Sequence, residues 1–364
     1  MEHEVVPGGT GARDGAAALA RRFHREVVGP LLASSFPGVP LAVGRLGSGS
    51  DVLGLDDATS TDHDWGLRLT VLVGDDADGA GPGGLVVDVD AVLERDLPET
   101  FAGHPVRFPA TWDPAVRHRV EVGTVAALAE QRLGLDAVAP WDAVDWLGLT
   151  GQAVLEVVAG PVFSDPTGDL TRLRDRLAWY PDDVWRYVVA SAWQQLEQEL
   201  PFVGRTGSVG DEAGSAVLTS RLVRRAVHLG LLLDRRWSPY PKWAGTVFAR
   251  SPSATALPHL QEALAARAWP DRQEHLRRAL EELLARQRTV GLPVTARATQ
   301  PFHDRPFLGV ALDLVDLLHA SVGDGPVRDL PRGVGAVEQW VDGVDVLVPA
   351  HRRHAVARAA LAAR

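Results

Sequence analysis

Leu46–Leu69 reads LGSGSDVLGLDDATSTDHDWGLRL. Gly47–Ser50 is a glycine-serine turn, and Asp62 and Asp64 stand two apart where an alternating apolar run begins. That run, Asp62–Val73 with Leu67, Leu69, Val71 and Val73, has the period of a strand. Side chains alternate faces along a strand, so both carboxylates are expected on one side and His63 and Trp65 on the other. Two carboxylates beside a Gly-Ser turn suit Mg²⁺, which binds through one or two carboxylates plus the phosphates of a substrate. The turn offers the complementary half, because glycine permits close approach and backbone N–H groups with Ser50 can meet phosphate oxygens.

Working outward, Ala16–Val28 has helical spacing with Leu19, Phe23 and Val27 on one face, and Pro40–Leu46 reads as a short strand. Gly74–Gly84 is an acidic, glycine-rich loop, Val87–Leu97 a helix, and His104–Asp113 irregular. Arg117–Val122 alternates as a third strand and leads into a helix over Val125–Gln131. Downstream the period is helical: Trp146–Ala159, Leu170–Trp179, Asp183–Glu199, Glu212–Trp237, Leu257–Ala268, Asp271–Arg288 and Phe307–Val322. Gly160-Pro161, Tyr180-Pro181, Gly204–Gly210 and Ser238–Pro241 punctuate them, and an Ala/Arg-rich helix over His351–Arg364 reads as peripheral. The fold expected is α+β. A mixed sheet with flanking helices occupies 1–145, and an α-helical bundle over 146–364 completes a cleft.

Composition narrows the function classes. At 364 residues two domains are expected, since single cores stop growing near ~250–300 residues. Cysteine is absent, so a disulfide framework, a thiolate nucleophile and Cys-ligated metals are excluded. No apolar run reaches the ~18 residues of a membrane helix, and the start, with Glu2 and Glu4, has no secretory pattern. A cytoplasmic protein without membrane partners is expected. The net charge of −10 argues against a general nucleic-acid binder. Every basic residue but one is arginine, and the exception is Lys242. A lysine kept in such a chain suggests a position where a compact ammonium is needed and a planar guanidinium will not fit.

Gly49-Ser50, then Gly54, then Asp62-His63-Asp64 after eleven intervening residues resembles the signature of the DNA polymerase β-like nucleotidyltransferase superfamily. The longer wording, with FVGRTGSVGDEAGS and YPKWAG, resembles a bacterial domain-of-unknown-function family placed in that superfamily, over nearly the whole chain. The resemblance implies Asp62 and Asp64 as ligands of two Mg²⁺ ions, with Gly49 and Ser50 on the nucleotide. A third carboxylate is implied on a later strand. Glu121, in Arg119-Val120-Glu121-Val122, stands where the streptomycin-type aminoglycoside adenylyltransferases carry a base, so the resemblance implies it as third metal ligand or general base. Pro241-Lys242-Trp243 opens a helix, and by the same likeness Lys242 contacts the triphosphate. His63 departs from the usual aliphatic middle position and reads as a hydrogen-bonded structural imidazole.

Other polar residues have structural readings. Asp56 and Asp57 rival the metal pair but read as solvated turn residues. Asp211 reads as a helix N-cap in preference to lining an acceptor pocket with Arg205. Arg221, Arg224 and Arg225 form a solvated or ion-paired face. Tyr180, Trp185, Trp193, Trp237 and Trp243 read as bundle core. His303-Asp304-Arg305 fits no motif. The function expected is transfer of a nucleoside monophosphate from an NTP, foremost ATP, to an acceptor hydroxyl. A catalytically silent nucleotide-binding or interaction module, or an adenylylating enzyme acting on a protein, is the alternative. The acceptor, the base preference and the oligomeric state stay open.

Overall fold

The structure, a computed structural model, describes residues 15–56, 65–74, 81–323 and 325–362. The chain divides into two compact units, 1–128 with 156–174 and 129–155 with 175–364. Each unit therefore takes a segment from the other's span of sequence.

The first unit opens with α1 (Ala16–Phe23), a π turn over His24–Val28 and α2 (Gly29–Ser35). Then come β1 (Leu41–Gly44), β2 (Arg68–Val73), α3 (Gly81–Asp96), β3 (Thr100–Phe101), β4 (His104–Pro105), β5 (Arg107–Ala110) and β6 (Asp113–Thr124). β7 (Val162–Ser164) completes it, and α4 (Val125–Leu133) leads on towards the second unit. The sheet order is β5-β6-β2-β1-β7, with β2 and β6 parallel and every other pair antiparallel. A parallel pair needs a crossover, and the connection through α3 provides one. Leu69, Val71 and Val73 of β2 pack with Leu19, Phe23, Val28 and Leu32 from the first helices, Val89 and Leu93 of α3, and Val120. All six residues of β2 are buried, as expected for a central strand covered on both faces.

The second unit is helical, as its period predicts. It contains α5 (Ala143–Leu147), most of α6 (Gly151–Val158), the end of α7 (Asp169–Arg176), α8 (Asp182–Gly207) and α9 (Glu212–Leu233). α10 (Pro241–Phe248), α11 (Leu257–Ala265), α12 (Trp269–Thr289), the β8–β9 hairpin (Thr299–Pro301 and Leu308–Val310), α13 (Leu312–Ala320), α14 (Val344–Leu347) and α15 (Ala350–Leu361) follow. Tyr180, Trp185, Trp193 and Trp237 are buried core, with Trp185 Nε1 donating to the Leu232 carbonyl at 2.8 Å and Trp193 Nε1 to Gln287 Oε1 at 2.6 Å. Trp243 is half-buried. Among the described residues no helix is long and apolar enough to cross a membrane.

Several local expectations are corrected. β2 starts at Arg68, six residues after Asp62, because the chain bends at Gly66. There φ is +150°, and a Cβ would stand 2.9 Å from the Phe108 ring. His104–Asp113 is not irregular but holds β4 and β5, the latter pinned by Arg119, which donates to the Phe108 carbonyl at 2.8 Å and to Asp113 Oδ2 at 2.9 Å. The start of the segment expected as the Phe307–Val322 helix instead forms β9 (Leu308–Val310), and the helix begins only at Leu312. The segment from His351 is not peripheral: Arg353, His354, Ala357 and Leu361 are buried in α15, and His354 Nε2 donates to the Leu133 carbonyl at 2.7 Å.

Candidate functional site

The Gly-Ser turn leaves the end of β1 and is built around a buried guanidinium. Arg45, 2% exposed, donates through Nε to Asp51 Oδ2 at 2.7 Å and through Nη2 to Asp51 Oδ1 at 3.0 Å. The same group donates to the Leu46 carbonyl and, at 3.1 Å, to the Ser48 carbonyl. Arg68, the first residue of β2, reaches the same Ser48 carbonyl at 3.0 Å and stacks over Trp112 with 4.7 Å to the ring centroid. Burying two guanidinium groups is tolerable only because their donors are engaged and one has a fully matched carboxylate.

Chain distant in sequence braces the outside of the turn. Gly47 N donates to the Glu156 carbonyl at 2.7 Å and Arg45 N to the Pro161 carbonyl at 2.9 Å. Gly49 has φ +140°, and a Cβ on it would lie 2.1 Å from Asp51 Oδ1 and 2.9 Å from Arg45 Nη2. No other residue fits there without breaking the pair. Ser50, half-buried, accepts from Leu55 N at 2.8 Å through its carbonyl, which closes the loop over Gly54.

Glu121 is exposed on β6, in register with Thr70 of the parallel strand β2. Leu69, Val71 and Val120 face the core, so alternation places Glu121 on the opposite face, with Arg68 and Thr70. That is the side on which Arg68 holds the turn. Lys242 belongs to the second unit, exposed at the second position of α10, with Nζ 5.1 Å from the Trp243 ring centroid. Asp62 and Asp64, with His63 and Asp57, lie outside the described residues. Among the described residues no group of three His, Asp or Glu side chains is placed to hold a metal ion.

Comparison with known proteins adds little to this geometry. Residues 146–244 match the family described as a domain of unknown function, DUF4037. The match is narrower than the near-whole-chain resemblance expected from the motifs, and it includes both Lys242 and the Glu156–Pro161 backbone against the turn. A nucleotidyltransferase-like protein from Exiguobacterium sibiricum 255-15, known from a crystal structure, is similar at 13% identity and a TM-score of 0.34, over 74% of this chain and 76% of that one. So loose a likeness specifies neither the fold nor the chemistry of this chain. No curated protein matches, the aminoglycoside adenylyltransferases included.

The rival readings resolve locally. Asp56 is not solvated but half-buried, its Oδ2 accepting from Ala16 N at 3.1 Å at the start of α1. Asp211 caps α9, accepting from Gly214 N at 2.7 Å. Arg221 and Arg225 each reach Glu199 Oε2 at 3.0 Å, and Arg224 pairs with Asp342, so that face is ion-paired. Sequence reasoning passed over Arg45, Asp51 and Arg68. The signal available was two isolated opposite charges flanking GSGS within an otherwise apolar stretch.

Proposed function

We propose that the chain is a metal-dependent nucleotidyltransferase that moves a nucleoside monophosphate from an NTP, foremost ATP, to an acceptor hydroxyl and releases pyrophosphate. The observation that carries the reading is the clamped Gly49-Ser50 turn, on the sheet side where β6 presents Glu121. A carboxylate on that face is the kind of hard oxygen donor Mg²⁺ takes, so the chemistry of Glu121 suits that ion. Asp62, Asp64 and Glu121 would hold two Mg²⁺ ions, which when bound neutralise phosphate charge and make the acceptor oxygen more nucleophilic.

The chain's own groups have separate tasks. Gly49 and Ser50 hold the β- and γ-phosphates. Glu121 takes the proton of the acceptor hydroxyl as its oxygen bonds to the α-phosphorus. The bond from that phosphorus to the bridging oxygen breaks, and Lys242 offsets charge on the departing pyrophosphate. The acceptor is a small molecule or a protein, since the net charge of −10 opposes RNA. A cytoplasmic location accords with a chain that has no cysteine.

Ligands that bind only the native state raise its melting temperature. ATP, GTP, CTP and UTP, each with and without Mg²⁺, should therefore give stabilisation that depends on the metal. Asp62→Asn and Asp64→Asn should remove that dependence. Melting curves unmoved by every NTP in Mg²⁺ would end the reading.

A further inference from the structure

The clamp around the turn does more than hold a loop. Arg45 commits four N–H donors to residues 46, 48 and 51, which bracket Gly49 and Ser50. The Ser48 carbonyl is fixed twice, by Arg45 at 3.1 Å and Arg68 at 3.0 Å. In a planar trans peptide the next N–H points opposite to the carbonyl. Fixing the Ser48 oxygen against two cations therefore turns the Gly49 N–H away from them. Among the described residues no protein acceptor meets the N–H groups of Gly49 and Ser50.

We propose that Arg45 and Asp51 are positioning residues that pre-orient the Gly49 amide as a donor to the terminal phosphates of a nucleoside triphosphate. Neither touches the nucleotide. The pair sets the direction of one peptide dipole before the ligand arrives, so the ordering cost is met during folding rather than during binding. Asp51 supplies the geometry, because only a carboxylate matches the guanidinium fork at two oxygens. Arg45 cannot be replaced by lysine, whose ammonium has no planar fork to span Asp51 and two carbonyls. The pair also explains the glycine, since any Cβ at position 49 would enter the space of the Asp51 carboxylate.

This inference rests on the nucleotidyltransferase reading, and the experiment separates the two. ATP, ADP and AMP affinities of the full chain are measured in Mg²⁺ for wild type, Asp51→Asn and Arg45→Lys. Both variants should lose about tenfold or more for ATP and less than about twofold for AMP, the scale of one charge-assisted hydrogen bond. A merely structural pair would weaken all three nucleotides alike, and that result would overturn the proposal. If the variants do not fold, wild-type protein suffices: ATP should slow hydrogen exchange at the Gly49 amide, followed by NMR, and AMP should not. Wild type that binds ATP with the Gly49 amide unprotected sinks the positioning role while leaving nucleotide binding intact. Wild type that binds no nucleotide removes both.

Discussion

A general base acts in the chemical step, so its removal is read in turnover and not in affinity. Glu121→Gln keeps the shape and hydrogen-bonding capacity of an exposed strand residue while removing its charge. Turnover with saturating ATP and acceptor should fall ~10²–10⁴-fold with ATP affinity nearly unchanged. Poor ATP binding with normal turnover at saturation would make Glu121 a binding residue instead. Lys242 carries the converse expectation. Charge is conserved in Lys242→Arg, yet a planar, bulkier guanidinium does not replace a compact ammonium following charge onto a leaving group. Activity should drop while the melting temperature holds, because the side chain is exposed at the start of α10. An arginine variant with full activity would return Lys242 to an ordinary surface position.

At the scale of elements, glycine in this chain has two uses that composition cannot separate. Gly204–Gly210 reads as a break, but α8 runs through Pro201 to Gly207 before it ends. The reason is packing. A Cβ on Gly207 would lie 2.3 Å from Trp269 Cβ, and one on Gly204 would lie 2.6 Å from the Phe307 ring. These glycines let α8 approach the start of α12 and the segment entering β9. Gly207→Ala should therefore destabilise by about 1–3 kcal/mol through overpacking, outweighing the gain in helix propensity. Gly245 in α10 has nothing within 4 Å of its added Cβ. Gly245→Ala should stabilise, by up to about 1 kcal/mol. Urea denaturation of both variants checks the pair, and a stabilised Gly207→Ala would contradict the packing argument.

For the whole molecule, the buried histidines set an acid limit. Burial in the second unit, reinforced by the positive charge of Arg332 and opposed by Asp316, pushes His319 down to about 4 from 6.5. Its ring lies beside Tyr187, and Nε2 stands 3.2 Å from Gln194 Oε1. Burial also lowers His24, His118 and His354. A lowered histidine is neutral in the fold and takes up a proton more readily when unfolded. The stability it contributes is complete above 6.5 and is lost as pH falls towards 4. For His319 the loss is of order 3 kcal/mol at most. His319→Gln should flatten the dependence of unfolding free energy on pH across that window. An unchanged slope would show that His319 is not the group responsible.

The sequence by itself determined which segments are strand and helix in outline, because period 2 and period 3.6 are local properties written into Leu67–Val73 and the helices after 146. It also determined the Asp211 cap and the aromatic core, since a cap acts within one turn and large rings have few places other than the interior. The Gly-Ser turn and Glu121 were legible as candidates for the same reason: their pattern is short. What holds them was not. Arg45 and Asp51 form a buried ion pair only because β1 delivers the arginine into the fold, and Arg68 joins it from a neighbouring strand paired through Gly44 and Thr70. The Glu156–Pro161 brace comes from more than a hundred residues along the chain. Only tertiary structure decides such contacts, because they depend on which distant segments share a volume, and no local period encodes that choice.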